Sequence, residues 1–204
     1  FSADLDFVDY TIRLSLENSS IPILIPLPPA GLVVSAAVRG DLLFQSIPHG
    51  IIIGGDAYIS DTRIDFGLPD DLPFWYLIEG FDTLFNLDMT TERNVGFSFP
   101  NAENPILEAN ILPGQRLSII QDTQTGEMMV RGDVGIRSGS IYYFRKDFHI
   151  TEGTLSFPDG QFIGQSLPLI DLRARIREYD ADGDRVDVYL ILENSTLDNL
   201  NPRF

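Results

Sequence analysis

Apolar side chains recur at every second position along most of this chain, a period that predicts half-buried β-strands. The longest such run is GDVGIRSGSIYYFRKDFHITEGTLSF, residues 132–157. It reads as short strands at 134–138, 140–144, 148–150 and 154–157, with glycines at the turns or bulges between them. Val134, Ile136, Ile141, Tyr143, Phe148, Ile150, Leu155 and Phe157 then share one apolar face.

The same alternation recurs on both sides of this run. Tyr10, Ile12, Leu14 and Leu16 alternate with Thr11, Arg13 and Ser15. Strands are expected near 32–38 and 42–45, with a turn at Arg39-Gly40-Asp41. Gly54-Gly55 breaks the run that starts at Ile51, and a turn at Asp61 precedes Ile64 and Phe66. Phe85, Leu87 and Met89 alternate, then Val95, Phe97 and Phe99, followed by strands near 106–112, 117–121 and 128–131. The last two strands are the clearest pair. Ile170, Leu172, Ala174 and Ile176 alternate with Asp171, Arg173, Arg175 and Arg177, and Val186, Val188, Leu190 and Leu192 alternate with polar positions or Ile191. Asp182-Gly183 between them is a strong hairpin signal. Three stretches fall outside the alternation: a proline-rich edge and loop at 18–31, an irregular aromatic loop at 67–84 with one helical turn near Phe81–Phe85, and a tail at 193–204.

The sum is about a dozen short strands in one all-β domain, joined mostly by tight turns with antiparallel pairing as the default. Sandwich, barrel, solenoid and open trough all fit that pattern. An apolar face of Phe, Ile, Leu and Val must be hidden. Its side chains either fill one another's space or line a groove for an apolar guest, at about 1.5–3 kcal/mol for each side chain removed from water.

Composition narrows the partners. Thirty acidic residues against 14 basic ones give a net charge of −16, which disfavours nucleic acid and anionic lipid surfaces. The hydrophobic content of 44% separates the chain from disordered acidic tails. Cysteine is absent, so disulfides and thiol chemistry are excluded. The densest apolar stretch, 21–38, carries Pro22, Pro26, Pro28 and Pro29, which break a helix. The chain begins at Phe1 and reads as a piece of a longer protein.

Candidate chemistry is sparse. Asp180, Asp182 and Asp184 form D-A-D-G-D, a weak calcium candidate. Glycine stands fourth rather than sixth and Ile191 takes the place of an EF-hand glutamate, so a hairpin tip is the preferred reading. Of the two histidines, His149 lies between Phe148 and Ile150 and so points to the polar face; His49 stands alone. No nucleophile, base and acid are patterned together, and a zinc set is lacking. The RGD tripeptides 39–41 and 131–133 are read as turns. Arg173, Arg175 and Arg177 line one strand face, where pairing with Asp171, Asp187 or Glu178 is expected.

Three linked pieces carry a resemblance: LDMTTERNVGFSF (87–99), MVRGDVGIRSGSIYYFRKDFHITEGTLSF (129–157) and residues 168–192. In order they give a strand, a G-x-[IV]-x-[IV]-x-x-G-x-[IV] step, an aromatic strand, F-x-[IV]-x-x-G-x-[IL]-x-F, a proline loop and a final hairpin. Gly132, Val134, Ile136, Gly139, Ile141, Phe148, Ile150, Gly153, Leu155 and Phe157 occupy its positions, and GDAYISDTRIDF (55–66) is similar to an earlier rung. Across roughly 50–192 the chain resembles the C-terminal domain of the TamB family of translocation and assembly proteins.

That resemblance implies a β-taco: an elongated, mostly antiparallel sheet folded into a U-shaped trough with an apolar interior. It implies the periplasm of a diderm bacterium, an inner-membrane anchor outside this piece, and an outer-membrane Omp85-type barrel (TamA or a relative) as partner. It further implies phospholipid acyl chains or outer-membrane protein clients in the groove, with no enzymatic reaction, no catalytic residues and no cofactor beyond bound phospholipid or detergent. The groove-lining set expected is the alternating residues named above from Ile64 and Phe66 through Leu192. A surface-exposed β-solenoid used as an adhesin or scaffold is the alternative.

Overall fold

A strand of alternating polarity needs neighbours for its backbone and a cover for its apolar face. The computed structural model describes residues 9–27, 32–48, 50–66, 82–101, 103–121, 128–157, 168–196 and 199–204. Among them lie eleven strands and no helix: β1 Thr11–Leu27, β2 Leu32–Ile47, β3 Gly50–Phe66, β4 Asp82–Thr91, β5 Val95–Phe99, β6 Leu107–Ile111, β7 Arg116–Gln121, β8 Met128–Tyr143, β9 Lys146–Phe157, β10 Leu169–Tyr179 and β11 Arg185–Thr196. All eleven belong to one sheet, so the all-β reading holds.

The sheet runs in the order β1-β2-β3-β4-β7-β8-β9-β10-β11, with β5 and β6 off that path. The pairings explain why. β4 lies parallel to Gly50–Ile59 of β3, and β5 lies parallel to Thr62–Asp65 of the same strand. β6 and β7 sit end to end along β8 in the same way. Two long strands, β3 and β8, therefore flank a hairpin whose two arms are each interrupted once. Every pairing other than those of β3 with β4 and β5 is antiparallel. A β-solenoid stacks parallel coils, and this mixed, mostly antiparallel sheet does not have that form.

Hydrogen bonds close the two interruptions against each other. Thr91, 3% exposed, accepts the Gln115 N–H at its Oγ1 (2.9 Å) and donates from the same oxygen to the Leu112 carbonyl (2.8 Å). Gln115 Oε1 accepts the Gly135 N–H of β8 at 2.9 Å. On the β3 side, Asp61 and Thr62 donate their N–H groups to the carbonyls of Arg93 and Asn94, and Asn94 Nδ2 donates to Asp61 Oδ1 at 2.8 Å. The seam thus replaces the missing ladder with side-chain and loop bonds, as buried backbone requires.

Irregularities in register continue this seam across the sheet. They fall between Leu16 and Ile21 in β1, at Ser35/Ala37 where β2 meets β3, and between Asn110 and Ile111 where β6 meets β8. They recur at Arg173/Ala174 where β9 meets β10, and at Ile170/Leu172 where β10 meets β11. Each extra residue bends its strand and increases its twist. The outcome shows at the C-terminus. Arg203 is bridged to Ile191 on the outer edge of β11, yet the Phe204 ring lies 5.8 Å from Tyr143 on β8 and 6.1 Å from Phe148 on β9. In a flat sheet the tail and β8 stand four strand spacings apart, about 19 Å. The contact needs a sheet that curls toward its apolar face.

Several turns expected from glycine are corrected by the structure. Gly40, Gly54, Gly55, Gly132, Gly139 and Gly153 all lie inside strands, so the strands are fewer and longer than the sequence suggests, and both RGD tripeptides are mid-strand. Gly40 and Gly55 show the reason. Each has positive φ, and a Cβ on either would stand 2.2 or 2.1 Å from the carbonyl oxygen of Asp56 or Asp41 across the β2–β3 pair. Glycine here permits close backbone approach within a strand rather than a reversal. Asp61, also read as a turn, takes φ 46° at the β3 irregularity. The proline-rich segment continues β1 through Leu27, residues 82–85 open β4 instead of a helical turn, and β11 reaches Thr196. Residues 28–31, the aromatic segment 67–81 and His49 lie outside the described residues.

The seam gives a direct test. Replacing Thr91 by Val keeps its shape but leaves the Leu112 carbonyl and the Gln115 N–H without their hydroxyl partner. The variant is expected to lose about 1–3 kcal/mol, read as a lower urea midpoint at unchanged slope.

Candidate functional site: an apolar sheet face

Alternation alone would turn each strand's apolar set outward wherever one extra residue intervenes. The irregularities fall where the sequence changes its own phase. In β8, Val134 and Ile136 occupy even positions and Ile141 and Tyr143 odd ones; the first three are buried in one core cluster and Tyr143 packs against it, because the strand gains a residue at Ser138/Ile136. In β9 the extra residue at Thr151 keeps Phe148 and Ile150 on the same side as Leu155. In β3 it reconciles Ala57 and Ile59 with Ile64. Strand β10 needs no correction, and its Ile170, Leu172, Ala174 and Ile176 keep one parity throughout.

The structure brings nearly all of the expected face together. Phe85, Leu87, Val95, Phe97, Val134, Ile136, Ile141, Phe148, Ile150, Leu155, Ile170, Leu172, Ala174, Leu190 and Leu192 are buried in a single cluster. Ile64, Met89, Phe99, Tyr143, Ile176 and Val188 pack against it, half-buried. Three residues stand apart. Val186, expected inward, is 40% exposed, because it pairs with Glu178 beside the hairpin tip, at the end of the sheet. Phe157, at the opposite end of the sheet, is half-buried and outside the cluster. Phe66 ends β3, and its side chain is outside the described set.

The sequence reading omitted part of the face. Leu107, Ala109 and Ile111 of β6 are buried in a strict alternating pattern that was present in LEANI. Ala36, Val38 and Leu42 of β2 and Ala57 and Ile59 of β3 are also in the cluster. Their signal was split by the glycines that read as turns.

Burial is graded across the face. Leu107, Ile170, Ala174 and Leu190 are fully buried. Toward the other edge, Leu14, Phe44 and Ile53 are half-buried, and Tyr10 and Ile12, on the same side of β1 as Leu14, are 42% and 56% exposed. Among the described residues the face is most deeply buried on β6, β10 and β11 and most exposed on β1. The only buried polar side chains among the described residues are hydroxyls, including Thr62, Thr91, Ser98 and Ser195. Such a surface removes hydrocarbon from water and offers little to a polar ligand.

The opposite face carries the charge. Asp187 Oδ1 and Oδ2 accept from Arg177 Nε (3.1 Å) and Arg175 Nη1 (3.4 Å), and the Arg173 guanidinium lies 4.1 Å over the Tyr189 ring. Lys146 pairs with Glu178. His149 is exposed, its Nδ1 3.4 Å from Ser140 Oγ. Asp180 Oδ1 accepts the N–H groups of Asp182 (3.0 Å) and Asp184 (2.8 Å), so this carboxylate organises the hairpin tip. Among the described residues no group of three His, Cys, Asp or Glu side chains is placed to hold a metal ion.

Arg39 ties β2 to the seam. Its guanidinium binds both oxygens of Glu92 and lies 4.4 Å from the centre of the Tyr58 ring. That hydrogen bonding holds the Glu92 carboxyl below its ordinary range. Asp61 is lowered as well, chiefly by the Asn94 amide. Tyr142 is raised, first by burial and then by Asp147.

For a carboxyl lowered on folding, the stabilisation is present above its unfolded pKa and is lost as pH falls through the folded one. Glu92→Gln is therefore expected to lower the urea midpoint at pH 7. Its difference from the parent should shrink as the pH drops below the ordinary glutamate range, measured by titrating both proteins in denaturant.

The chain matches no family model and no curated protein.

Proposed function

We propose that this chain is a non-enzymatic module that holds acyl chains or apolar client segments against its sheet face, serving phospholipid transport to the outer membrane and assembly of barrel proteins there. The observation that carries the reading is the graded apolar face. It is continuous from β2 to β11, almost free of polar groups, and more accessible toward β1. An acyl chain gains from leaving water and asks for no hydrogen bond in return. A protein client would bring apolar side chains at strand spacing to the same surface.

The resemblance of residues 50–192 to the TamB C-terminal domain supports the reading and supplies its setting. The protein would work in the periplasm of a diderm envelope, with an Omp85-type barrel such as TamA at its outer-membrane end. The polar outer face, bearing most of the ion pairs described, suits a body that crosses water between two membranes.

The test is lipid retention by the purified chain, read by native mass spectrometry and solvent extraction after exposure to phospholipid vesicles. Phe44→Asn with Ile53→Asn places two amides opposite each other on the half-buried part of the face, where they can pair without unfolding the sheet. The parent is expected to retain phospholipid and the variant to retain at least about tenfold less, since a loss of about 1.4 kcal/mol already gives that factor. A folded parent that holds no lipid, or a variant that holds as much as the parent, removes the acyl-chain reading.

A further inference from the structure

The two edges of this sheet are protected unequally. On the β11 side the chain's own tail lies along the edge. Ile191 and Arg203 exchange backbone hydrogen bonds of 2.9 and 2.8 Å, Thr196 bridges Asn199, and Arg203 pairs with Glu193. On the β1 side no strand among the described residues covers the outer edge. An uncovered edge presents a row of free N–H and C=O groups.

β1 blunts half of that row itself. Pro22 and Pro26 pair opposite Ala37 and Val33, and proline has no N–H to give to β2 or to an outside strand. Alternate residues face the outside, so of 22, 24 and 26 only Leu24 offers an outward N–H. The other half is not blunted. Ser46 donates its N–H to the Tyr10 carbonyl at 3.0 Å, which sets the phase: Tyr10, Ile12, Leu14 and Leu16 bond toward β2, and Asp9, Thr11, Arg13 and Ser15 turn their backbone outward. This short template also carries the exposed Tyr10 and Ile12, on the core side of the sheet.

We propose that residues Asp9–Arg13 pair antiparallel with the same residues of a second copy, about a two-fold axis at Thr11. In that register each outward backbone group meets another, Thr11 faces Thr11, and Arg13 of each copy stands opposite Asp9 of the other. Tyr10 meets Ile12 twice, so the four exposed apolar side chains cover one another and extend the apolar face across the junction. Neither Asp9 nor Arg13 has an ion-pair partner among the described residues. The next register in the same hydrogen-bonding phase sets Ile12 against Ile12 and moves Arg13 from Asp9 to Thr11; the one after sets Arg13 against Arg13, which like charges disfavour. The association does not rest on the lipid reading, and either can fail without the other.

The experiment is sedimentation equilibrium of the 204-residue chain in about 0.15 M salt, where the Debye length of about 8 Å screens the repulsion between two bodies of charge −16. The parent is expected to be a reversible dimer. Thr11→Pro removes an N–H that β2 does not use, so the fold should persist by circular dichroism while the dimer constant drops at least tenfold. Arg13→Asp should weaken the dimer in the same way, and Arg13→Asp with Asp9→Arg should restore it. The chain has no cysteine, so single cysteines report the register. Thr11→Cys places two Cα atoms about 5.5 Å apart, within disulfide reach, whereas Ser15→Cys places them about 26 Å apart. Rapid cross-linking at 11 and none at 15 supports the register. A folded parent that stays monomeric at several hundred micromolar overturns the proposal. So does a dimer that ignores both Thr11→Pro and Arg13→Asp, or that cross-links at 15 rather than 11.

Discussion

A sheet that is apolar on one side must keep that side in phase from strand to strand, because a slip of one residue turns every side chain over. Most of this structure follows from that constraint. Phase changes occur inside β1, β3, β8 and β9, each beside a register irregularity, and the apolar positions before and after each change meet in the same core. The irregularities also bend the strands they interrupt. That bending shows where the Phe204 ring, from the far edge, comes within 5.8 and 6.1 Å of Tyr143 and Phe148.

The seam between β4–β5 and β6–β7 is the strongest expression of the same constraint. Here two whole strands are interrupted, and the ladder would otherwise lose buried backbone bonds. Thr91, Gln115, Asp61 and Asn94 replace them with bonds from short polar side chains and from the breaks themselves. Arg39 and Glu92 tie the outer surface over the same place. The buried hydroxyl of Thr91 is therefore a structural necessity of the break, and it has no need of a catalytic role to explain it.

Division of labour between the two faces gives the functional reading its physical sense. The inner face offers hydrocarbon, deeply buried on β10 and β11 and more exposed on β1. The outer face holds ion pairs and exposed carboxylates. Edge protection follows the same asymmetry: the tail bridges β11 at two places, prolines blunt one half of β1, and no described strand pairs with the outer edge of the other half.

The amino-acid sequence by itself determined the strand character of the chain, the polarity of its two faces and most members of the apolar cluster. Those properties are local: period two, side-chain type and a hairpin signal at Asp182-Gly183 suffice. It also placed His149 and the arginines of β10 on the polar side, and anticipated Asp187 as an arginine partner. Where the strands stop was not local. Gly40, Gly55 and Gly132 carry the same signal whether the chain reverses or passes close to a neighbour, and only the carbonyl lying opposite decides between them. The parallel pairing of β3 with β4 and β5, the end-to-end arms of the inserted hairpin and the placement of the tail join residues far apart in the chain. Tertiary structure alone decided them, because backbone hydrogen bonds carry no label of which strand they will join.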